Sequence, residues 1–186
     1  MPDLPDNSAE SYKSLLKSGA ILVAREVLTD LNFNNTIVLL CQHSEAGAYG
    51  LVLNRPAHMP LHEIFEHPPE LSENISSKRR VYIGGPVQST ELQILQIGPD
   101  AVQESLEIAP EVHLGGAWEQ VEDFLTRDPQ QLRLFLGYAG WGEWQLEEEV
   151  EVGAWEVHQI DVRALLEAPE SVWAGGWAAL RRFLEA

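Results

Sequence analysis

Between Leu136 and Leu146 the chain reads Leu-Gly-Tyr-Ala-Gly-Trp-Gly-Glu-Trp-Gln-Leu. This run constrains the fold more than any other. Three glycines in six residues permit backbone angles that other residues resist. One tyrosine and two tryptophans in the same run demand large surfaces to bury them. An apolar segment from Leu132 to Leu136 leads in, and an acidic, helix-prone segment leads out. The pattern is that of a strand, a shaped turn and a helix start.

The rest of the chain supplies partners for such a strand. Continuous apolar runs at 20–24, 36–41 and 49–53 have the pattern of buried strands. The last two are joined by a short loop containing Gly47, which predicts an antiparallel hairpin. Pro56 cannot donate to a sheet ladder, so the third run stops at Asn54-Arg55-Pro56. Further strands are predicted at 81–83, 92–97, 132–138 and 154–160. Helices are predicted at 11–17, 61–66, 117–126, 143–150, 162–168 and 178–184. Trp118, Val121, Phe124 and Leu125 put an apolar stripe on the third of these. Hairpins and helices mix without βαβ alternation, which predicts an α+β fold. With 186 residues and no evident linker, a single domain over residues 19–186 is expected, preceded by a polar extension with a short helix over residues 1–18.

Charge narrows the function. Twenty-nine acidic against twelve basic side chains give a formal charge of −17. That balance argues against direct nucleic-acid binding, which draws its affinity from Lys and Arg on phosphates. The basic clusters are small: Lys78-Arg79-Arg80 and Arg181-Arg182. No apolar run approaches the ~20 residues of a membrane span, and the N-terminus has no signal-peptide pattern. A cytoplasmic protein without a membrane role is expected. Cys41 lies in an apolar run and reads as a buried small hydrophobe rather than a nucleophile. Alternation along a strand puts His43 on the same face as Cys41.

Candidate chemistry is sparse. His62-Glu63-Ile64-Phe65-Glu66-His67 misses both helical zinc spacings by one residue. His58 and His62 are one helical turn apart, but no metal or other cofactor is expected. Glu147, Glu148 and Glu149 read as a solvated helix face. No GxSxG elbow is present, and no catalytic residue is assigned. The candidate ligand-binding residues are Asn54 and Arg55 at a strand end, Gly84 and Gly85 before Pro86, and Tyr138, Gly140 and Trp141 in the glycine-aromatic turn. Arg55 offers a guanidinium fork to a carboxylate or phosphate. The glycine turns offer backbone N–H groups or a close approach of two backbones, and Trp141 offers a stacking plate or a core plug.

Several blocks together carry a family resemblance. They are Leu22-Val23-Ala24, Phe33 with 38–43, and Gly47 with Gly50-Leu51-Val52-Leu53-Asn54-Arg55-Pro56. Further on come Tyr82-Ile83-Gly84-Gly85-Pro86-Val87, Gly137-Tyr138-Ala139-Gly140-Trp141-Gly142, Gln145-Leu146-Glu147 and Trp155. In this order, over about residues 19–177, they resemble the AlgH/YqgE family of bacterial proteins. The chain departs at Glu26, where the family usually has proline, at Gly153, where it often has asparagine, and at Gln96, where it often has histidine. The resemblance implies a compact domain whose mostly antiparallel sheet bends toward a barrel, with flanking helices. It carries over no catalytic residue, and the family's regulatory name derives from an alginate-regulation phenotype. The expected function is therefore a non-catalytic regulatory protein that binds a small ligand or an unidentified protein partner. The alternative is an enzyme acting on a small phosphorylated or acyl substrate, in a cleft between Gly84-Gly85-Pro86 and the Gly137–Gly142 turn.

Overall fold

The computed structural model describes residues 9–59, 63, 80–100, 103–116, 131–173 and 177–185. In chain order these form α1 (Ala9–Leu15), β1 (Ile21–Ala24), β2 (Ile37–Ser44), β3 (Gly47–Val52), β4 (Val81–Ile83) and β5 (Val87–Ile97). There follow β6 (Ser105–Ala109), β7 (Val112–Gly115), β8 (Leu132–Trp141), α2 (Gln145–Glu151) and β9 (Trp155–His158). Three helices close the chain: α3 (Val162–Glu167), α4 (Glu170–Trp173) and α5 (Trp177–Leu184). The helices predicted at 61–66 and 117–126, and the residues His62, Glu66, His67, Lys78 and Arg79, lie outside the described residues.

One sheet holds all nine strands, in the order β6-β7-β5-β8-β3-β2-β1-β9, with β4 on β8. Every neighbour is antiparallel except β4 on β8, which is parallel. The fold is the expected α+β domain with a curled, half-barrel sheet. Its curl is visible in the core. Ile21 and Val23 of β1 share one buried cluster with Ile97, Ile108 and Val112 from the far end of the sheet. Ser18 ties the two ends: its hydroxyl lies 2.8 Å from the Cys41 carbonyl and 3.0 Å from that of Ile108. Val162, Leu165 and Leu166 of α3 and Leu180 of α5 fill this concave face. Asp161 caps α3 by accepting from the Ala164 N–H at 2.9 Å, a contact of about 1 kcal/mol. The other face carries a second cluster, in which Leu146 and Val150 of α2 meet Leu22, Val38, Leu40, Trp141 and Trp155. Leu16, just past α1, is buried in that cluster with Tyr12 packed beside it.

The sequence pattern found seven of the nine strands, and the β2–β3 hairpin is as read. The β6–β7 hairpin was missed, and so was α4. Leu106, Ile108, Val112 and Leu114 do alternate around a tight turn in which Glu111 takes φ 57°. Pro110 and the acidic residues among them masked that pattern. β2 also departs from simple alternation. Its pairing with β3 slips between Leu40 and Gln42. This bulge makes Cys41 and Gln42 share a face and turns His43 to the opposite one, where Ala48 pairs with it. His43 and Cys41 are therefore not on one face. Among the described residues no helix is long and apolar enough to cross a membrane.

Candidate functional site

The two glycine motifs meet, and the sheet topology says why. β8 has two edges. β4 pairs with Leu134, Phe135 and Leu136 along one, and β5 pairs with the same three residues along the other. The chain must therefore pass from Ile83, opposite Leu136, to Val87, opposite Tyr138, across β8 itself. Only Gly84, Gly85 and Pro86 make the crossing. A Cβ on Gly85 would stand 2.1 Å from the Tyr138 carbonyl carbon, and one on Gly84 would stand 2.3 Å from the Gly137 oxygen. Gly137, at φ +67°, faces the Gly85 and Val87 carbonyls at 2.5 and 2.8 Å from the same construction point. These glycines are fixed by backbone packed on backbone. The space between the two turns is occupied by their own atoms, and the openings lie beside the crossing.

Asn54 and Arg55 hold a neighbouring turn. The Asn54 side chain accepts from Ile37 N–H at 2.9 Å and donates to the Asn35 carbonyl at 2.9 Å. Arg55 donates to the carbonyls of Leu31, Asn32 and Asn34 and to Asn34 Oδ1, at 2.5–3.1 Å. Carbonyl dipoles, rather than a carboxylate, answer this guanidinium. Burial lowers the Arg55 pKa from its ordinary value, and Asp30 acts in the opposite sense. Arg55 does share a small cavity of about 230 Å³ with Gly85, Pro86, Asn32 and Ser89. Both of its terminal nitrogens are already engaged there.

Trp141 and the acidic helix form a locked unit. Gly137 resets the alternation of β8, so Leu136, Ala139 and Trp141 point away from the concave face while Tyr138 packs toward it. Trp141 lies among Phe33 and Trp155, with ring centroids 5.9–6.1 Å apart. Glu149 Oε2 accepts from both indole N–H groups, at 2.9 Å from Trp141 and 2.7 Å from Trp155. Its other oxygen accepts from Gln145 at 3.0 Å. Two residues earlier, Glu147 Oε1 meets His43 Nε2 at 2.7 Å, with both side chains largely covered. The glutamate run is thus not a solvated face: Glu147 and Glu149 fasten α2 to the sheet. The spacing i, i+2 on a helix does not announce this, because the bulge that re-aims His43 is invisible in the sequence.

The concave face holds a different arrangement. Gln42, Tyr49 and Gly140 stand side by side across β2, β3 and β8. Together with Ser44, Tyr138 and the border residue Trp141 they line an open groove of about 400 Å³. Tyr49 and Tyr138 stack with centroids 4.4 Å apart. Burial, and then the neighbouring Cys41, Tyr138 and Glu91, raise the Tyr49 pKa, so the hydroxyl stays protonated. It donates to Gln93 Oε1 at 2.6 Å. By contrast, the Gln42 amide and the Ser44 and Tyr138 hydroxyls make no hydrogen bond among the described residues. Gly140 floors the groove: a Cβ there would press on the Tyr138 ring at 3.3 Å. Nearby Cys41 is buried, and burial pushes its thiol far above the ordinary range, so it supplies no thiolate. Of the seven candidate residues, Tyr138, Gly140 and Trp141 come together here, while Arg55 and Gly85 share the smaller cavity. Asn54 and Gly84 serve the backbone. Gln42, Ser44 and Tyr49 had no motif to mark them.

A family model described as AlgH-like matches residues 21–182. A UPF0301 protein of Chlorobium phaeobacteroides is 34% identical over 163 residues, covering 86% of this chain and 84% of its own length. Another, from Chlamydia trachomatis serovar A, is 36% identical over 165 residues, 87% of this chain and 85% of its own. The solution structure of AlgH from Pseudomonas aeruginosa superposes with a TM-score of 0.70 at 28% identity, over 98% of this chain and 97% of that one. A crystal structure of a Corynebacterium diphtheriae protein gives 0.67 at 22% identity, over 85% and 83%, a likeness of fold. The matched span contains both the glycine crossing and the groove, and with relatives of this identity along most of its length the chain belongs to the AlgH-like family.

Proposed function

We propose that this protein acts by binding, as a non-catalytic regulatory protein of the cytoplasm, and that the groove over Gly140 receives its ligand. The observation that carries this reading is the set of unengaged polar ends there. Gln42, Ser44 and Tyr138 converge on one concavity beside a stacked tyrosine pair. Its size falls within the ~300–1,000 Å³ of small-molecule sites. Among the described residues its lining holds an amide and hydroxyls but no carboxylate, imidazole or thiolate, so the Ser44 and Tyr138 hydroxyls have no base in the lining to activate them for acid–base or nucleophilic chemistry. An enzyme working on phosphorylated or acyl substrates finds less support. Its cleft coincides with the glycine crossing, and Arg55 is held by carbonyls. The charge of −17 favours a small molecule or a protein partner over nucleic acid.

A thermal-shift screen of uncharged and charged metabolites tests the reading. A ligand at ~100 times its dissociation constant adds roughly 2.7 kcal/mol. For a chain of this size that is a rise in Tm of roughly 5–10 °C. The shift is expected to vanish in Tyr138→Ala. A compound that shifts wild type and Tyr138→Ala equally, or one that wild type turns over, would overturn the proposal.

A further inference from the structure

We infer that the groove is built for an uncharged planar heterocycle with an amide edge, the chemical class of nucleobases and nucleosides. This rests on the binding role proposed for the groove and adds the kind of ligand. No charged side chain is among the groove's lining residues, as far as the described residues go. A phosphate or carboxylate placed there would be desolvated without a cation to answer it. The chain's overall charge of −17 opposes anions further. An ammonium would likewise find no carboxylate in that lining, since Glu91 acts on Tyr49 from outside it. The ligand that fits is neutral.

Its shape follows from the walls. Tyr49 and Tyr138 are stacked face to face, their planes 25° apart, and a third flat ring extends such a stack at its natural separation. Gly140 has no side chain to block the approach, and any other residue there would press on Tyr138. The hydrogen-bonding edge follows from Gln42. A primary amide presents one donor direction and one acceptor direction, and it pairs in two-point fashion with a ring edge carrying both. The Ser44 and Tyr138 hydroxyls each donate and accept, and they suit ring nitrogens or sugar hydroxyls. All three side chains are unengaged among the described residues and face one space.

The test uses the full chain labelled with ¹⁵N. Adenosine, uridine and their 5′-monophosphates are titrated while the amide resonances of Gly47 and Gly140, both at the groove, are followed. The inference expects saturable shifts with a nucleoside, at least tenfold tighter than with its monophosphate, and a tenfold weakening in Gln42→Ala. Monophosphates that bind as tightly as nucleosides would overturn it. So would nucleosides that leave both amides unmoved while a hit from the thermal screen moves them; the groove then remains a binding site and the ligand class falls. If neither nucleosides nor any screen hit moves these amides, the binding role falls with it.

Discussion

The two faces of the sheet around the end of β8 handle polar atoms in opposite ways. On the helix-covered face Trp141, Trp155, Glu149, Gln145, His43 and Glu147 close on one another. On the concave face Gln42, Ser44 and Tyr138 point into open space. The residues most conspicuous in the sequence belong to the first group. Two tryptophans and a glutamate run look like candidates for a site, yet their hydrogen bonds are internal. Buried indole N–H groups need acceptors, and Glu149 supplies one oxygen to both. The concave face joins Tyr138 to residues with no motif value, an amide and a serine. The contrast teaches that a site is recognised here by what is left unengaged rather than by what is unusual.

The largest test of that contrast breaks the scaffold both faces depend on. Gly85→Ala places a methyl group 2.1 Å from the Tyr138 carbonyl carbon. The neighbour is backbone within a paired strand and cannot step aside. We expect a loss of at least about 3 kcal/mol or failure to fold, read from the urea midpoint of the purified protein. A variant within about 1 kcal/mol of wild type would show that the chain does not cross β8 at this point.

Next in size is the lock itself. Glu149→Ala leaves two indole N–H groups without their acceptor, in a cluster that includes Phe33. Stranding largely covered donors costs about 1–3 kcal/mol each, so a fall of about 2–6 kcal/mol in unfolding free energy is expected for the two, with an altered near-UV tryptophan signal. Glu149→Gln keeps one acceptor oxygen and should recover most of the loss. Equal stability of Glu149→Ala and wild type would remove Glu149 from the lock and blur the distinction between the faces.

Which parts of this were legible in the sequence follows from the range of the interactions. Apolar runs such as Ile37–Cys41 in β2 read as strands because burial on both faces leaves a continuous pattern. The α+β class followed from their order, and the curled sheet followed from the family blocks. Pairing across distant segments was not legible. Nothing local says that 84–86 crosses β8, although the glycines there announce that something passes close. The bulge at Cys41 and Gln42 is a property of pairing with β3, so the meeting of His43 with Glu147 could not be read from either stretch. Arg55 looked like an anion fork because its carbonyl partners, at Leu31, Asn32 and Asn34, lie more than twenty residues away. Tyr138, Gly140 and Trp141 were legible as a group because they are neighbours in the chain. Their polar complement, Gln42 and Ser44, sits on another strand.

The smallest expected effect on stability sharpens the comparison most. Gln42 and Ser44 are exposed, make no internal side-chain hydrogen bond among the described residues and sit at the end of a strand. Truncating either to alanine removes no buried contact and strands no donor. Their unfolding free energies should stay within about 0.5 kcal/mol of wild type, the usual range for surface substitutions. The same two variants should lose the ligand-induced rise in Tm that wild type shows. Glu149→Ala is expected to do the reverse, lowering the starting Tm while keeping a ligand-induced rise, since its carboxylate lies on the other side of the sheet. If Gln42→Ala and Ser44→Ala instead destabilise the fold by about 1 kcal/mol or more, those side chains are structural. The concave face would then be locked like its counterpart, and the division of labour between the two faces would not stand. If they stay stable and lose the shift, one strand end separates the two tasks: outward-facing side chains hold the domain together, and inward-facing ones are kept available for what it binds.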